Sequence, residues 1–243
     1  MPSPDALAAL RRAAAVGPYF AVITDAPADA SADPAWEPFA DLLDRPDIVA
    51  ARVRAVRATL AARTGLDEAA LELRACASIH FLGLASRLVA PALAAVALAG
   101  VAVSAAGVRW QRVEGGPVPL TLDGVTGVAV TSPAGAAAAL RDGVLTPLVA
   151  PLVEAFTDVD GTAVSPTVLW GNVASALAGA ASMLLRASTP FALDPREVVT
   201  QLLTSGPLAG AGAFGVDGRF FRRTSCCLFY RVPGGGTCGD CVL

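Results

Sequence analysis

The feature that most constrains the fold is a run of 21 residues without a charged side chain, over residues 88–108. A run of this length meets the length criterion for a membrane-spanning helix. It is built mainly of Ala and Val, however, and it is interrupted by Pro91, Gly100, Ser104 and Gly107. We therefore expect a helix buried in the protein core that breaks at Gly100 into a strand or loop. Membrane contact is then at most peripheral.

The composition predicts a mostly helical protein. The 243 residues suffice for one large or two modest domains. Hydrophobic residues make up 54% of the chain, largely because Ala is abundant, and Ala, Leu and Arg all favour helix. Residues 108–122 differ, because two β-type runs flank a Gly-Gly-Pro turn. The predicted class is mostly α (α+β), a helical domain with a small β-hairpin or short antiparallel sheet.

Apolar periodicity and capping residues define the individual helices. They are predicted over residues 4–16, 47–64, 67–85, 134–140, 142–156, 173–186 and 194–204. Asn172 is predicted to cap the helix that begins at Val173. The face that carries Arg52, Arg54, Arg57 and Arg63 is predicted to be solvated. The only histidine, His80, is expected in the core or at its boundary and not as a metal ligand.

Several residue types are missing, and their absence excludes classes of function. All eighteen basic residues are Arg, so the Lys of a P-loop or of a Schiff base is absent. One histidine is too few for a two-His Rieske centre or a Cys₂His₂ zinc finger. The net charge of −3 and the lack of a basic block argue against nucleic-acid binding. Without a nucleotide-binding motif, electron transfer needs an external donor, for which we expect a ferredoxin or a flavoprotein reductase.

The N-terminal sixteen residues predict an amphipathic helix and not a signal peptide, because an acidic residue comes early and two Arg interrupt the apolar pattern. We therefore expect a cytoplasmic protein. Thiols stay reduced in that compartment, so clustered cysteines there favour metal or redox chemistry over structural disulfides.

Four of the five cysteines lie in the last eighteen residues, as Cys226, Cys227, Cys238 and Cys241. The fifth, Cys76, lies in an apolar run and is expected to be a core residue. Four thiolates without a nitrogen partner suit Zn²⁺ or an iron–sulfur cluster. Adjacent cysteines direct their side chains apart, which fits the wider thiolate arrangement of a 2Fe–2S cluster better than a single ion.

We therefore predict a short C-terminal iron–sulfur loop in which Cys226, Cys227, Cys238 and Cys241 ligate a 2Fe–2S cluster. From geometry we expect Cys238 and Cys241 to share one iron and the adjacent pair to hold the other. Three alternatives stay open. They are a Cys₄ zinc module for protein or nucleic-acid contacts, a thiol–disulfide centre, and a non-enzymatic cluster carrier or iron sensor.

The residues around the cysteines suit a tight metal-binding loop. Residues 233–236 read Pro-Gly-Gly-Gly, and glycines that adopt positive φ can bring backbone N–H groups close to sulfur. Arg222, Arg223 and Arg231 would raise the reduction potential and are candidate substrate contacts. The alternative for these three arginines is a solvated surface.

The pattern Cys-Cys-x₁₀-Cys-x₂-Cys resembles the C-terminal 2Fe–2S motif of FhuF-type siderophore-iron reductases. The resemblance extends to GPYF at residues 17–20, HFLGLASRLVAP at 80–91 and LWGNVASALAG at 169–179. It implies that the four cysteines are cluster ligands and that the protein reduces a ferric siderophore by one electron in the cytoplasm. The corresponding division is a helical reductase-like domain over residues 1–218, ending in a linker at 205–218, and a cluster-binding segment over 219–243.

Overall fold

Most residues of the computed structural model are in helices. The model describes residues 3–24, 35–114, 116–157, 159, 162, 164–187, 189–216, 218 and 220–243. In chain order the α-helices are α1 (Pro4–Ala14), α2 (Phe39–Asp44), α3 (Pro46–Thr64), α4 (Leu73–Ala99), α5 (Pro133–Leu140), α6 (Ala150–Thr157), α7 (Pro166–Arg186) and α8 (Pro195–Leu202). A π-helix, Arg141–Val149, joins α5 to α6, so the two helices predicted there form one continuous helical segment.

The strands are short and pair antiparallel. They are β1 (Glu37–Pro38), β2 (Val101–Ser104), β3 (Gly107–Trp110), β4 (Leu120–Asp123), β5 (Thr126–Ala129), β6 (Gly212–Phe214) and β7 (Phe221–Arg223). Strand β3 lies between β1 and β4, while β2 pairs with β5 and β6 with β7. The pairing of Trp110 with Leu120 confirms the predicted hairpin. The predicted fold class, mostly α with small antiparallel sheets, is confirmed.

The uncharged run enters the core as predicted. Helix α4 ends at Ala99, Gly100 adopts φ +64°, and β2 begins at Val101. Glycine suits this position because a left-handed cap strains other residues, and a Cβ here would lie only 3.2 Å from the Val130 carbonyl oxygen.

Three helical segments are long and apolar enough to cross a membrane by length and composition alone. They are Leu73–Ala99, Pro133–Thr157 and Pro166–Arg186. In Leu73–Ala99, 83% of the apolar window is buried inside the protein. Peripheral contact with a membrane stays a prediction.

Helices α4 and α7 form the centre of the protein. Buried Ala residues are numerous in both, and α4 packs more extensively against α7 than against any other described element. Small side chains allow two helix backbones to approach closely, so contacts between the helices can form over a long stretch. At one level of this contact the Asn172 amide donates to the Ser78 carbonyl oxygen at 3.1 Å.

Two predictions about helix residues were wrong. Asn172 does not cap a helix, because α7 already begins at Pro166 and Asn172 is fully buried in its interior. The arginine face of α3 is not solvated throughout. Arg52 is buried, donates to the Val113 carbonyl oxygen at 2.8 Å and lies 5.8 Å from the centre of the Trp110 ring. An indole face and a carbonyl oxygen therefore replace water around this guanidinium.

His80 is a buried residue of α4, as expected. Its ring centre lies 5.8 Å from that of Phe156, and its Nε2 atom has no hydrogen-bond partner among the described residues. Burial lowers the pKa of His80 to about 3, and the positive charge of Arg52 acts in the same direction. The imidazole is therefore neutral at physiological pH.

The segment predicted as a linker, residues 205–218, contains regular structure among its described residues. A 3₁₀ turn, Gly206–Leu208, precedes β6, and β6 pairs with β7 in the register Gly212 to Arg223. A Cβ on Gly212 would overlap the Phe221 ring, so glycine is required for this pairing. The predicted boundary at 218/219 falls between the two strands, and residue 219 lies outside the described residues. The division into two domains stays a prediction.

Candidate metal centre

After β7 the chain has almost no regular structure. We call residues 224–243 the cysteine tail. Its one helical turn is the 3₁₀ segment Phe229–Arg231, preceded by Leu228 at φ +66°. Gly234 and Gly236 also adopt positive φ, and the Gly235 N–H donates to the Val232 carbonyl oxygen at 2.8 Å. These turns reverse the chain and bring its second pair of cysteines back towards the first.

The reversal places two thiols in contact. The Sγ atoms of Cys227 and Cys238 lie 3.4 Å apart. Two backbone N–H groups point at the other sulfurs, Leu228 N–H to Cys226 Sγ at 3.3 Å and Leu243 N–H to Cys241 Sγ at 3.4 Å. Such donors stabilise negative charge on sulfur. They come from residues that follow a cysteine and not from the glycines on which the sequence argument relied.

The thiols are not gathered into one group. Within the described ranges, no three His, Cys, Asp or Glu side chains are arranged to hold a metal ion. The contacting thiols, Cys227 and Cys238, belong to different predicted iron sites, so the predicted sharing of irons stays a prediction. The donor set nevertheless fits an iron–sulfur cluster, because it consists of four thiols with N–H groups directed at sulfur.

Protonation of the Cys238 thiol opposes metal binding. Burial raises the pKa of the Cys238 thiol well above its usual range, and the hydrogen bond with Cys227 and the nearby Asp240 carboxylate add to the effect. A thiol must lose its proton to ligate a metal, so loading this site releases protons.

A chain of buried polar groups attaches the first cysteine pair to the helical core. The Ser78 hydroxyl donates to the Cys227 carbonyl oxygen at 2.7 Å and accepts from the Asn172 amide at 2.9 Å. The Asn172 amide oxygen in turn accepts from Arg223 Nη2 at 2.7 Å. Ser78 lies on α4 and Asn172 on α7, so the chain joins both central helices to the tail.

The second cysteine pair is attached at another point of α7. The Ser175 hydroxyl forms a short hydrogen bond with the Asp240 carboxylate, and the Arg223 N–H donates to the Asp240 carbonyl oxygen at 3.3 Å. The Ser225 hydroxyl packs against Gly171 of α7 so closely that a Cβ at position 171 would overlap it, so the absence of a side chain there allows the tail to approach the helix. Sequence reasoning did not assign these roles, although a signal was present in Asn172 and Ser175, polar residues in the middle of a largely apolar helix.

The three predicted arginines occupy different environments. Arg222 is exposed. Arg231 is also exposed and pairs with the Glu72 carboxylate at 2.8 Å. Arg223 is only 1% exposed, with its guanidinium against α7. The prediction of a solvated position therefore holds for Arg222 and Arg231 but is wrong for Arg223. Because the Arg223 side chain is buried, it is not exposed to a substrate in solution. Substrate contact by the two exposed arginines stays a prediction.

A cavity of about 510 Å³ opens between α4, α7 and the cysteine tail. Gly239 and Asp240, which separate Cys238 from Cys241, form part of its wall. The rest of the lining combines hydroxyl groups and apolar side chains with a basic residue, Arg186, and includes Tyr19, Ser86, Ser175, Ser182, Met183 and Phe220. One wall of a ligand-sized cavity is therefore the loop between two predicted cluster ligands.

Comparison with known families decides the nature of the tail. Residues 223–243 match the model of the FhuF 2Fe-2S C-terminal domain. The match confirms the resemblance of the cysteine motif and supports a 2Fe–2S cluster as the cofactor, in preference to zinc. The resemblance of residues 17–20, 80–91 and 169–179 lies outside the match and stays a prediction. The described donors, four thiols and two N–H groups directed at sulfur, fit that cofactor. A comparison of the chain with curated proteins finds no match.

Proposed function

We propose that the protein transfers one electron to a ferric siderophore in the cytoplasm and so releases ferrous iron. The observation that carries the proposal is the cavity of about 510 Å³ whose wall includes the Gly239–Asp240 loop. A bound chelate would lie beside the segment that matches the FhuF 2Fe-2S C-terminal domain.

One-electron reduction of a ferric chelate requires the protein only to position the chelate near the electron donor. The oxygen ligands of a siderophore hold hard Fe³⁺ far more tightly than Fe²⁺, so one electron loosens the iron. The cofactor, when bound, supplies that electron and is recharged by an external ferredoxin or flavoprotein reductase. No bond to carbon forms or breaks, and no general base is needed. The side chains have only to hold the chelate close to the cysteine tail.

The cavity lining suits that task. Its volume lies within the usual range for sites that bind small molecules. The Tyr19 hydroxyl can donate a hydrogen bond to a chelate oxygen, while Met183 and Phe220 offer apolar contact to the siderophore backbone. The Ser86 and Ser182 hydroxyls donate to carbonyl oxygens of their own helices, so their oxygens are available as acceptors for N–H or O–H groups of the siderophore. Arg222 and Arg231 are not among the residues that line it, so we assign the first contact with the chelate to the cavity residues.

A filled cavity tests the proposal. Gly179 lines the cavity on α7, and nothing lies within 4 Å of the place where its Cβ would be. Gly179→Phe should therefore fold normally, keep its cluster and obstruct the chelate. Gly83→Phe is the matched control, since Gly83 has equal space on α4 but lines a different cavity.

The measurement is anaerobic mixing of chemically reduced protein with ferric trishydroxamate or ferric triscatecholate chelates, followed by cluster absorption and a ferrous-iron trap. We expect the wild type and Gly83→Phe to be reoxidised by at least one chelate class, and Gly179→Phe to react at least tenfold more slowly. Equal rates for all three proteins would refute the cavity as the docking site. Failure of the wild type with every chelate would favour a carrier or sensor.

A further inference from the structure

The Arg223 guanidinium is a buried cation without an anionic partner in the described part of the chain. It is 1% exposed, and its Nη2 atom donates to the Asn172 amide oxygen and, at 3.3 Å, to the Val168 carbonyl oxygen. Both acceptors are neutral. The Nε and Nη1 atoms have no hydrogen-bond partner among the described residues.

A buried cation in this state is unfavourable. Moving a charge out of water is strongly unfavourable unless an opposite charge and hydrogen bonds replace the solvent. The carboxylate of Asp240, whose carbonyl oxygen accepts from the Arg223 backbone N–H, is hydrogen-bonded to Ser175, and no salt bridge joins it to Arg223. The compensating negative charge therefore comes from a group other than the described side chains.

The position of Arg223 indicates what that group is. It lies three residues before Cys226, its own N–H donates to Asp240 in the loop between Cys238 and Cys241, and its guanidinium connects through Asn172 and Ser78 to the Cys227 carbonyl oxygen. The cation is thus attached to both halves of the cysteine tail. Four thiolates around a 2Fe–2S core carry a net negative charge, which increases by one on reduction.

We infer that Arg223 is the buried counter-cation of the 2Fe–2S cluster and that its charge raises the reduction potential. A fixed positive charge favours the reduced, more negative cofactor. Because Arg223 is buried, salt screens its effect weakly, whereas the effect of the exposed neighbour Arg222 is screened. The inference rests on the cofactor of the proposed function and is independent of the siderophore.

The test compares midpoint potentials of Arg223→Gln and Arg222→Gln in anaerobic redox titrations followed by EPR, without siderophore, at low and high salt. We expect Arg223→Gln to have a lower potential than the wild type at both salt concentrations. Arg222→Gln should shift less, and high salt should remove its shift. Arg223→Lys, which keeps the charge, should restore most of the wild-type potential. An Arg223→Gln potential equal to that of the wild type would overturn the inference.

A second variant keeps the inference testable if Arg223→Gln fails to fold or to hold the cluster. Asn172→Asp places a carboxylate against the guanidinium, so the cation is neutralised while the contact with Arg223 is kept, and only the amide donation to Ser78 is lost. We expect a lower midpoint potential in this variant as well. An unchanged potential in a cluster-loaded Asn172→Asp protein would contradict the inference, whatever the outcome at position 223.

Discussion

The α4–α7 pair and the cysteine tail are held in place by different forces. Contacts between α4 and α7 are made largely by small apolar side chains that are fully buried, so burial and close packing stabilise them. The tail contributes few buried residues, among them Cys227 and Val232, and is attached by a few polar contacts to the same two helices. In the tail, the Cys227 carbonyl oxygen accepts a hydrogen bond from Ser78 of α4, and the Asp240 carboxylate accepts one from Ser175 of α7.

The difference teaches that stability of the fold and retention of the cofactor are separable. Loss of a thiol is expected to remove a predicted cluster ligand and to leave the α4–α7 packing intact. A change inside the helical core alters the free energy of unfolding without removing a ligand. The residues at the junction, Ser78, Asn172 and Ser175, are expected to affect both.

The largest effect should follow from Cys238→Ser, because it removes a predicted ligand from the tail alone. We expect loss of the visible absorption and EPR signals of the cluster, with no change in the far-UV circular dichroism of the helices. Anaerobic purification followed by both spectroscopies checks this. Cys76→Ala is the control, since Cys76 is buried in α4 and should leave the cluster spectrum unchanged. A wild-type spectrum from Cys238→Ser would remove it from the ligand set.

The next effect concerns the helical region. Burial lowers the pKa of His80 to about 3, below the ordinary value of 6.5. Between these values the unfolded chain binds a proton that the folded protein does not, so stability falls as the pH falls below 6.5. The expected loss between pH 7.5 and pH 5 is about 2 kcal/mol. Denaturant unfolding at the two pH values measures it.

His80 is the only histidine, which makes the attribution direct. His80→Phe should remove most of the difference in unfolding free energy between pH 7.5 and pH 5. Cluster absorption, recorded in parallel at pH 7.5, should be the same in the variant and the wild type. A pH dependence that survives His80→Phe undiminished would assign the effect to carboxylates instead.

Local signals predicted much of the helical region. Gly100 ended α4 where the uncharged run required a break, and Asp194 caps α8 by accepting from the Arg196 N–H at 2.7 Å. These signals were readable because a cap or a break depends on neighbours in sequence. The four cysteines were readable for the same reason, since their spacing alone matched the family pattern.

The polar contacts between the tail and the central helices could not be predicted from neighbouring residues in the sequence. Asn172 suits a helix cap as well as a buried junction. The start of α7 at Pro166 excludes the cap, and the partners that define the junction, Ser78 and Arg223, are distant in sequence. Arg222 and Arg223 differ because β7 alternates its faces, which puts Arg223 on the buried face with Phe221. Strand β7 was not predicted, because the Gly-rich segment at 205–218 that precedes it favoured a linker.

The smallest effect should follow from Ser175→Ala, which removes one of the contacts between α7 and the second cysteine pair. Loss of a single partly buried hydrogen bond costs about 1 kcal/mol, so the protein should stay folded while the tail opens more often. We expect a strong chelator to bleach the cluster about fivefold faster, the equivalent of that energy. Ser182→Ala is the matched control, because among the described residues the Ser182 hydroxyl donates to the Ala178 carbonyl oxygen of its own helix and not to the tail. Equal bleaching rates in the two variants would mean that the Asp240 contact does not hold the tail, and the polar chain through Ser78 and Asn172 would then be the principal attachment.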